Sequence, residues 1–380
     1  MKFRFAFNKR VFKNFNYFLI IQLIPLLLIS SLLVKEINPY LFNKQMVYYA
    51  IAAVAFLVSA LIPWRQIMWW FVPLFYIANL GLLIAVEFVG KTILGAQRWI
   101  EIPGIGITLQ PSEFIKVSVM MILAYIVHKN PPPEKGYGLW KFIFLSIFII
   151  IPFVLIAKEP DLGTALVLLI VGYGILFIIG INWKIWVSIF LITAFSAPLA
   201  YQYGLKPYQK KRIEDVLSKP SYQVRQALIA IGSGGIEGKP KDEATQTQLD
   251  FLPVASTDFI FAYLGERFGF KGMMTVIGLY VLLIFNLLYI ATKYAKDYLI
   301  KAFASGLAFL FFVYMGVNIY MIIGLAPVVG LPLPMFSHGG TSFIIFAVIF
   351  GILQNLIAFK DYNRYNSDAK ITMVQPKKEY

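Results

Sequence analysis

Residues 1–34 read MKFRFAFNKRVFKNFNYFLIIQLIPLLLISSLLV. A basic, aromatic stretch gives way at Tyr17 to an apolar run without a single charge, ending at Val34. A signal peptide would carry a shorter apolar stretch followed by a small-residue cleavage site. A run of this length spans a hydrocarbon core, so it is read as a retained first membrane helix. The rest of the chain repeats the pattern. Of its 380 residues, 59% are hydrophobic and 14% charged, against roughly 25% charged in soluble domains. The composition is that of an integral membrane protein.

Ten candidate spans, the first included, can be counted on the same criterion. The spans fall near 17–34, 46–63, 67–89, 112–128, 139–157, 162–180, 183–203, 271–292, 299–323 and 337–358. An even number places both termini on one side. Lys and Arg then fix the orientation. One set of short segments holds Lys2, Arg4, Lys9, Arg10, Lys13, Arg65, Lys129, Lys135, Lys141, Lys184, Lys293, Lys296 and Lys301, with more beyond Lys360. The other set holds only Lys35, Lys44, Lys91, Arg98 and Lys158, plus Lys116 just inside a helix. By the positive-inside rule the first set is cytoplasmic. The expectation is an all-α integral membrane protein, a single polytopic domain over residues 1–380. Both termini are cytoplasmic, and one long extracytoplasmic loop, about 204–270, joins helices 7 and 8.

The net charge of +15 fits loops that face anionic lipid better than a nucleic-acid partner. There are no cysteines, hence no disulfides, thiolate ligands or cysteine nucleophiles. His128 and His338 are the only histidines, too few for a histidine zinc cluster and poorly placed for a Ser-His-Asp set. Acid–base chemistry would therefore rest on carboxylates.

Several polar groups sit at the outer ends of helices. Glu113 and Lys116 share one helix face three residues apart, as an ion pair or as the wall of a polar cavity. In KEPDLGTALVLL, Lys158–Leu169, Pro160 can open a helix and Asp161 can cap it or bind a cation at the outer mouth. In the loop Gly90–Phe114, Arg98 has the fork for a phosphate, while Trp99 suits a headgroup anchor. Lys206, Lys210, Lys211 and Arg212 form a basic cluster, either a solvated face or a phosphate site. Ser221–Lys239 follows as an amphipathic surface helix with a glycine-rich turn lacking the phosphate-loop ending. Pro327, Pro332 and Pro334 forbid regular helix in Gly324–Phe343, and Asn318 needs a partner inside its helix. Finally, STDFIFAYLGE, Ser256–Glu266, sets Asp258 directly ahead of an apolar run at the outer boundary, where it would cap a helix or act on a substrate.

Four stretches in order then carry a resemblance: GAQRWI with LQPSEFIKV; KEPDLGTAL; QTQLDFLPVASTDFIFAYLGERFGFKG; and NIYMIIGLAPVVGLPLPMFSHGGTSF. Nearly the whole chain resembles the SEDS family of bacterial membrane proteins (shape, elongation, division and sporulation), its elongation branch more than its division branch. VASTD lacks the charged or His residue usual before the Thr-Asp, and SHGG stands where Ser-Tyr-Gly-Gly is common. The resemblance implies a peptidoglycan glycosyltransferase of the bacterial cytoplasmic membrane. Such an enzyme polymerises lipid II, a disaccharide-pentapeptide on undecaprenyl pyrophosphate, with a class B penicillin-binding protein as partner. It aligns Asp258 with the family's functional carboxylate, and Glu113, Lys116 and Asp161 with its embedded charges. Asp258 would be the general base, or a ligand of Mg²⁺ or Mn²⁺. Arg98, Lys116, Lys210, Lys211, Arg212 and Arg225 are candidates for stabilising the departing pyrophosphate. A lipid II flippase and a non-catalytic scaffold for the transpeptidase are the competing readings.

Overall fold

The computed structural model describes residues 14–360, apart from 94–95, 102–107, 160, 205–209, 211–219, 250 and 253. Among these, nine helices are long and apolar enough to cross a membrane. They are α1 Tyr17–Ile37, α2 Pro39–Leu61, α3 Trp64–Val89, α4 Pro111–Lys129, α5 Leu139–Lys158, α6 Leu162–Ile179, α9 Ile260–Lys293, α10 Tyr298–Ile322 and α11 Thr341–Ala358. Two shorter helices matter here, α7 Trp183–Leu199 and α8 Tyr222–Gly234.

Local chemistry sets the turns. Asn38 ends α1 and begins α2: its side chain accepts from the amides of Tyr40 and Leu41, and Pro39 supplies the first helical position. Helices α4, α10 and α11 are the most buried spans, and α1, α2 and α3 face outward. Where inner helices meet, small residues let them approach. A Cβ on Gly351 would stand 1.9 Å from Ser59 Oγ, and one on Gly174 would strike the Phe309 ring at 2.6 Å.

Three departures from the expected layout matter. The seventh expected span, 183–203, is α7 of 17 residues running on into a five-residue π segment, Ala200–Gly204. Its Trp186 packs on Phe142, Tyr173 and Phe177. Every residue from Leu191 to Ser196 is exposed, so lipid rather than protein must cover this apolar stretch. Second, the loop after α3 is not wholly irregular. Lys91–Ile93, Ala96–Glu101 and Thr108–Leu109 form strands β1, β2 and β3 of a small antiparallel sheet. Third, α9 begins at Ile260, well before residue 271, so the polar segment expected to run to 270 ends at Phe259.

Helix α9 is broken at Gly269, with φ 61° and ψ −161°. The amides freed there are paired from outside: Phe270 N–H donates to the Gly235 carbonyl and Lys271 N–H to that of Ile236. The glycine-rich turn after α8 thus caps the break. Helix α8 buries Val224, Ala227, Ala230 and Gly234, one stripe at helical spacing. The contact is backbone to backbone, since a Cβ on Gly234 would lie 2.0 Å from the Gly265 carbonyl oxygen. Gly234→Ala is expected to lower thermal stability by about 1–3 kcal/mol. A thermal-shift assay in detergent checks it, and an unchanged midpoint would mean that α8 is not held this way.

Candidate functional site

Asp258 sits in a turn directly before α9. Val254 opens the turn in the left-handed region, φ 57°, uncommon for a β-branched residue. Its carbonyl accepts from Thr257 N–H at 3.1 Å and Phe259 N–H at 3.4 Å. Three successive carbonyls are then gripped by the last external loop and α10. His338 N–H donates to the Ser256 carbonyl at 2.9 Å. Ser337 Oγ donates to the Thr257 carbonyl at 2.7 Å. Asn318 Nδ2 donates to the Asp258 carbonyl at 2.8 Å and to that of Leu331 at 2.7 Å. Asn318 thereby finds the partners its helix position demanded.

The backbone is fixed while the carboxylate is left unengaged. No hydrogen bond or ion pair holds the Asp258 side chain among the described residues, and α9 has no side-chain cap. The capping alternative for Asp258 is therefore overturned: the helix starts at Ile260 with Phe259 at the cap position, and no side-chain cap bond is made. Burial pushes its pKa up from 3.8 to about 6. Gly330, at φ 68°, brings the loop backbone alongside; a Cβ there would lie 3.6 Å from Asp258 Oδ2.

That loop, Ile323–Gly340, is irregular and buried from Leu333 to Ser337, which membrane depth permits only inside protein. Side chains from three helices satisfy it. Ser30 of α1 donates to the Phe336 carbonyl, Tyr280 of α9 to that of Pro334 at 2.7 Å, and Asn318 to that of Leu331.

Two charge clusters adjoin. Asp161 caps α6 through Thr164 N–H at 3.2 Å. It also pairs with Arg98 NH1 at 3.6 Å and accepts from Gln110 Nε2 at 3.5 Å. Capping and cation binding were posed as alternatives; the carboxylate does both. Arg98 reaches it from β2, with Nε donating to the Glu159 carbonyl at 3.3 Å. Lys116 is buried on α4, where Nζ donates to Glu113 Oε1 at 2.7 Å and to the Tyr314 hydroxyl. A cavity of about 20 Å³, room for one water, lies between Glu113, Tyr314, Ser337 and Phe343.

The three groups are mechanically joined. Tyr314 and Asn318 lie one turn apart on α10, the first against Lys116 and the second against Asp258. At the start of α6, a Cβ on Gly163 would lie 2.9 Å from Val329 Cβ, next to the Gly330 that flanks Asp258. The structure therefore brings together Arg98, Glu113, Lys116, Asp161 and Asp258. Two of the other cations, Lys210 and Arg225, are not brought in. Lys210 Nζ donates to the Gln202 carbonyl at 2.7 Å and stands over Tyr201, beside the end of α7. Arg225 is exposed on α8, and no described contact ties it to Asp258. Lys211 and Arg212 lie outside the described residues.

Glu159 and Tyr314 escaped the sequence reading. Glu159 is buried beside Asp161 and Arg98, and neither carboxylate oxygen has a hydrogen-bond partner among the described residues. Burial first, then Asp161, pushes its pKa up to about 8, with Arg98 opposing. Its place in KEPD was the available signal. For Tyr314 there was none, because its partner is 198 residues away.

Comparison with known proteins bears on the fold and the family. The peptidoglycan glycosyltransferase MrdB of Helicobacter pylori is 49% identical over 364 residues, 95% of each chain. A chain from a structural study of polymerization and crosslinking by a peptidoglycan synthase complex superposes with TM-score 0.78. It is 25% identical and covers 92% of this chain and 98% of that one. The rod shape determining protein RodA of Thermus thermophilus gives TM-score 0.66 at 25% identity, over 91% and 97%. The family described as "Cell cycle protein", named for FtsW, RodA and SpoVE, matches residues 9–362. This multi-pass membrane protein belongs to that family, the SEDS family.

Proposed function

We propose that this chain is a peptidoglycan glycosyltransferase that polymerises lipid II during cell elongation and maintenance of cell shape. The observation that carries the reading is Asp258: the backbone from Ser256 to Asp258 is gripped at three carbonyls while its half-buried carboxylate stays free. Relatives named peptidoglycan glycosyltransferase at 49% identity support it. The site would face outward from the bacterial cytoplasmic membrane, with both chain ends cytoplasmic and residues 1–380 acting as one polytopic domain. A class B penicillin-binding protein is the proposed partner, consistent with the synthase complex of similar fold.

The reaction joins a sugar 4-hydroxyl to the anomeric carbon of a glycosyl pyrophosphate. Asp258 accepts the hydroxyl proton as the new C–O bond forms. The bond to the leaving pyrophosphate breaks, and its electron pair departs with the phosphate oxygen. An α-linked donor giving a β-linked product needs one inverting displacement and no covalent carboxylate intermediate. Arg98 and Lys116 are the described cations that would oppose the growing negative charge, though each is already paired with a carboxylate.

No cluster of three His, Asp or Glu poised for a metal occurs among the described residues. Asp258 would add a single oxygen to a Mg²⁺ or Mn²⁺ ion held mainly by the pyrophosphate, a common mode for Mg²⁺. Bound there, the ion would supply charge neutralisation to the leaving group.

The test is glycan polymerisation by purified protein with lipid II, alone and with the transpeptidase, with and without divalent metal. Polymer supports the proposal. No polymer in any arm, with lipid II flipping in vesicles, would replace it with a transporter. No polymer and no flipping would leave the scaffold role.

A further inference from the structure

At the end of the bundle opposite Asp258, a cavity of about 260 Å³ opens between the start of α3, the end of α4 and the start of α10. It is lined by Arg65, Trp69, Tyr125, His128, Lys129 and Leu299. Along α10, Leu299 and Asn318 are about 28 Å apart, so this site is separate from the one containing Asp258.

The wall holds one fixed cation, Arg65, with His128 and Lys129 exposed beside it. Arg65 NH2 donates to Asp297 Oδ2 at 2.5 Å and to the Leu356 carbonyl at 3.0 Å, which immobilises the guanidinium. Its Nε is buried and has no partner among the described residues. Lys129 Nζ stands 5.9 Å from the Tyr125 ring centroid. Asp297 is already engaged, by Arg65 and by the amides of Leu299 and Ile300. Lys129 and the His128 imidazole therefore remain as donors without a carboxylate of their own in the lining.

The depth is that of a headgroup layer. Trp69 and Trp70 are exposed here, as are Trp140 and Trp183 at the same ends of α5 and α7. Such an aromatic belt marks a membrane–water interface. The volume falls just below the roughly 300 Å³ at which drug-sized pockets begin, a fit for one headgroup.

We infer that this cavity binds the phosphate of an anionic phospholipid headgroup. Lys129 and His128 donate to the phosphate oxygens beside the fixed charge of the Arg65 guanidinium, and Trp69 and Leu299 border the start of the acyl chains. A soluble phosphoester offers the same oxygens, so the test separates the two sources.

Protein in neutral detergent is titrated with dihexanoyl phosphatidylglycerol, dihexanoyl phosphatidylcholine and inorganic phosphate, with bound species counted by native mass spectrometry. The expected result is saturable phosphatidylglycerol binding, tighter than phosphatidylcholine by about tenfold or more. The double variant H128Q/K129Q loses that preference. K141Q removes a charge at the same depth, from a lysine standing over the Phe144 ring outside the cavity, and keeps it. Tighter binding of inorganic phosphate, lost in the same double variant, assigns the site to soluble phosphoesters. Equal loss in K141Q, or no saturable binding of any probe, overturns the inference.

Discussion

Asp258→Asn is expected to lower glycan polymerisation by about 10²–10⁴-fold, the usual contribution of a positioned general base. It is also expected to make the protein more stable. The wild-type carboxyl has a folded pKa of about 6, raised by burial from 3.8. Between those values the folded state holds more protons than the unfolded one, so stability falls as pH rises through the window. At neutral pH the ionised, unpartnered carboxylate costs on the order of 1–3 kcal/mol. Asn removes that charge and keeps the shape. A structural aspartate behaves oppositely, since loss of a cap or ion pair destabilises. The measurements are polymerisation and a thermal midpoint at pH 7.5 on the same preparations. An inactive but more stable variant supports Asp258 as base; an active one removes it from the chemistry.

The wild-type pH profile follows from the same carboxyl. A base works when deprotonated, so kcat/KM is expected to climb with pH through about 6 and then level. A profile flat from pH 5 to 8 would contradict this.

The second large effect is at Lys116. Replacing it with Met leaves Glu113 and Tyr314 facing each other without the cation that joins them. Breaking a buried pair from one side typically costs about 3–5 kcal/mol, far more than removing both charges. Lys116→Met is therefore expected to lose most of its thermal stability in detergent. Lys116→Met combined with Glu113→Gln is expected to recover most of it. Polymerisation by the double variant then separates two roles. Restored folding without activity assigns Lys116 to the substrate; restored activity makes the pair purely architectural.

Most of the spans were legible because their apolar runs exceed what any soluble core helix needs. The Glu113–Lys116 pair was legible because residues three apart share a helix face. The start of α9 was not. FAYLGERFG reads as the tail of a polar segment because of Glu266 and Arg267. In the structure Glu266 is buried, accepting from Gln246 N–H and Thr247 Oγ1. Arg267 pairs with Glu36 from the far end of α1, Nε to Oε2 at 2.9 Å and NH2 to Oε1 at 3.0 Å. These partners lie 19 to 231 residues away, so no local pattern could reveal that the charges are neutralised. The same holds for α7, whose apolar run promised a full span but gains few neighbours to pack against.

The break at Gly269 makes the first part of α9, Ile260–Phe268, a short arm held at its Asp258 end by three carbonyl contacts and near the break by the Arg267–Glu36 clamp. Nine residues of helix measure about 13 Å. A tilt of roughly 10° at the break would swing the carboxylate by about 2 Å, and misplacements near 1 Å already cost about 10²-fold in rate. On the proposed mechanism, the aim of the Asp258 oxygen is thus set by the grip on its own backbone and also, two helical turns away, by Arg267 and Glu36.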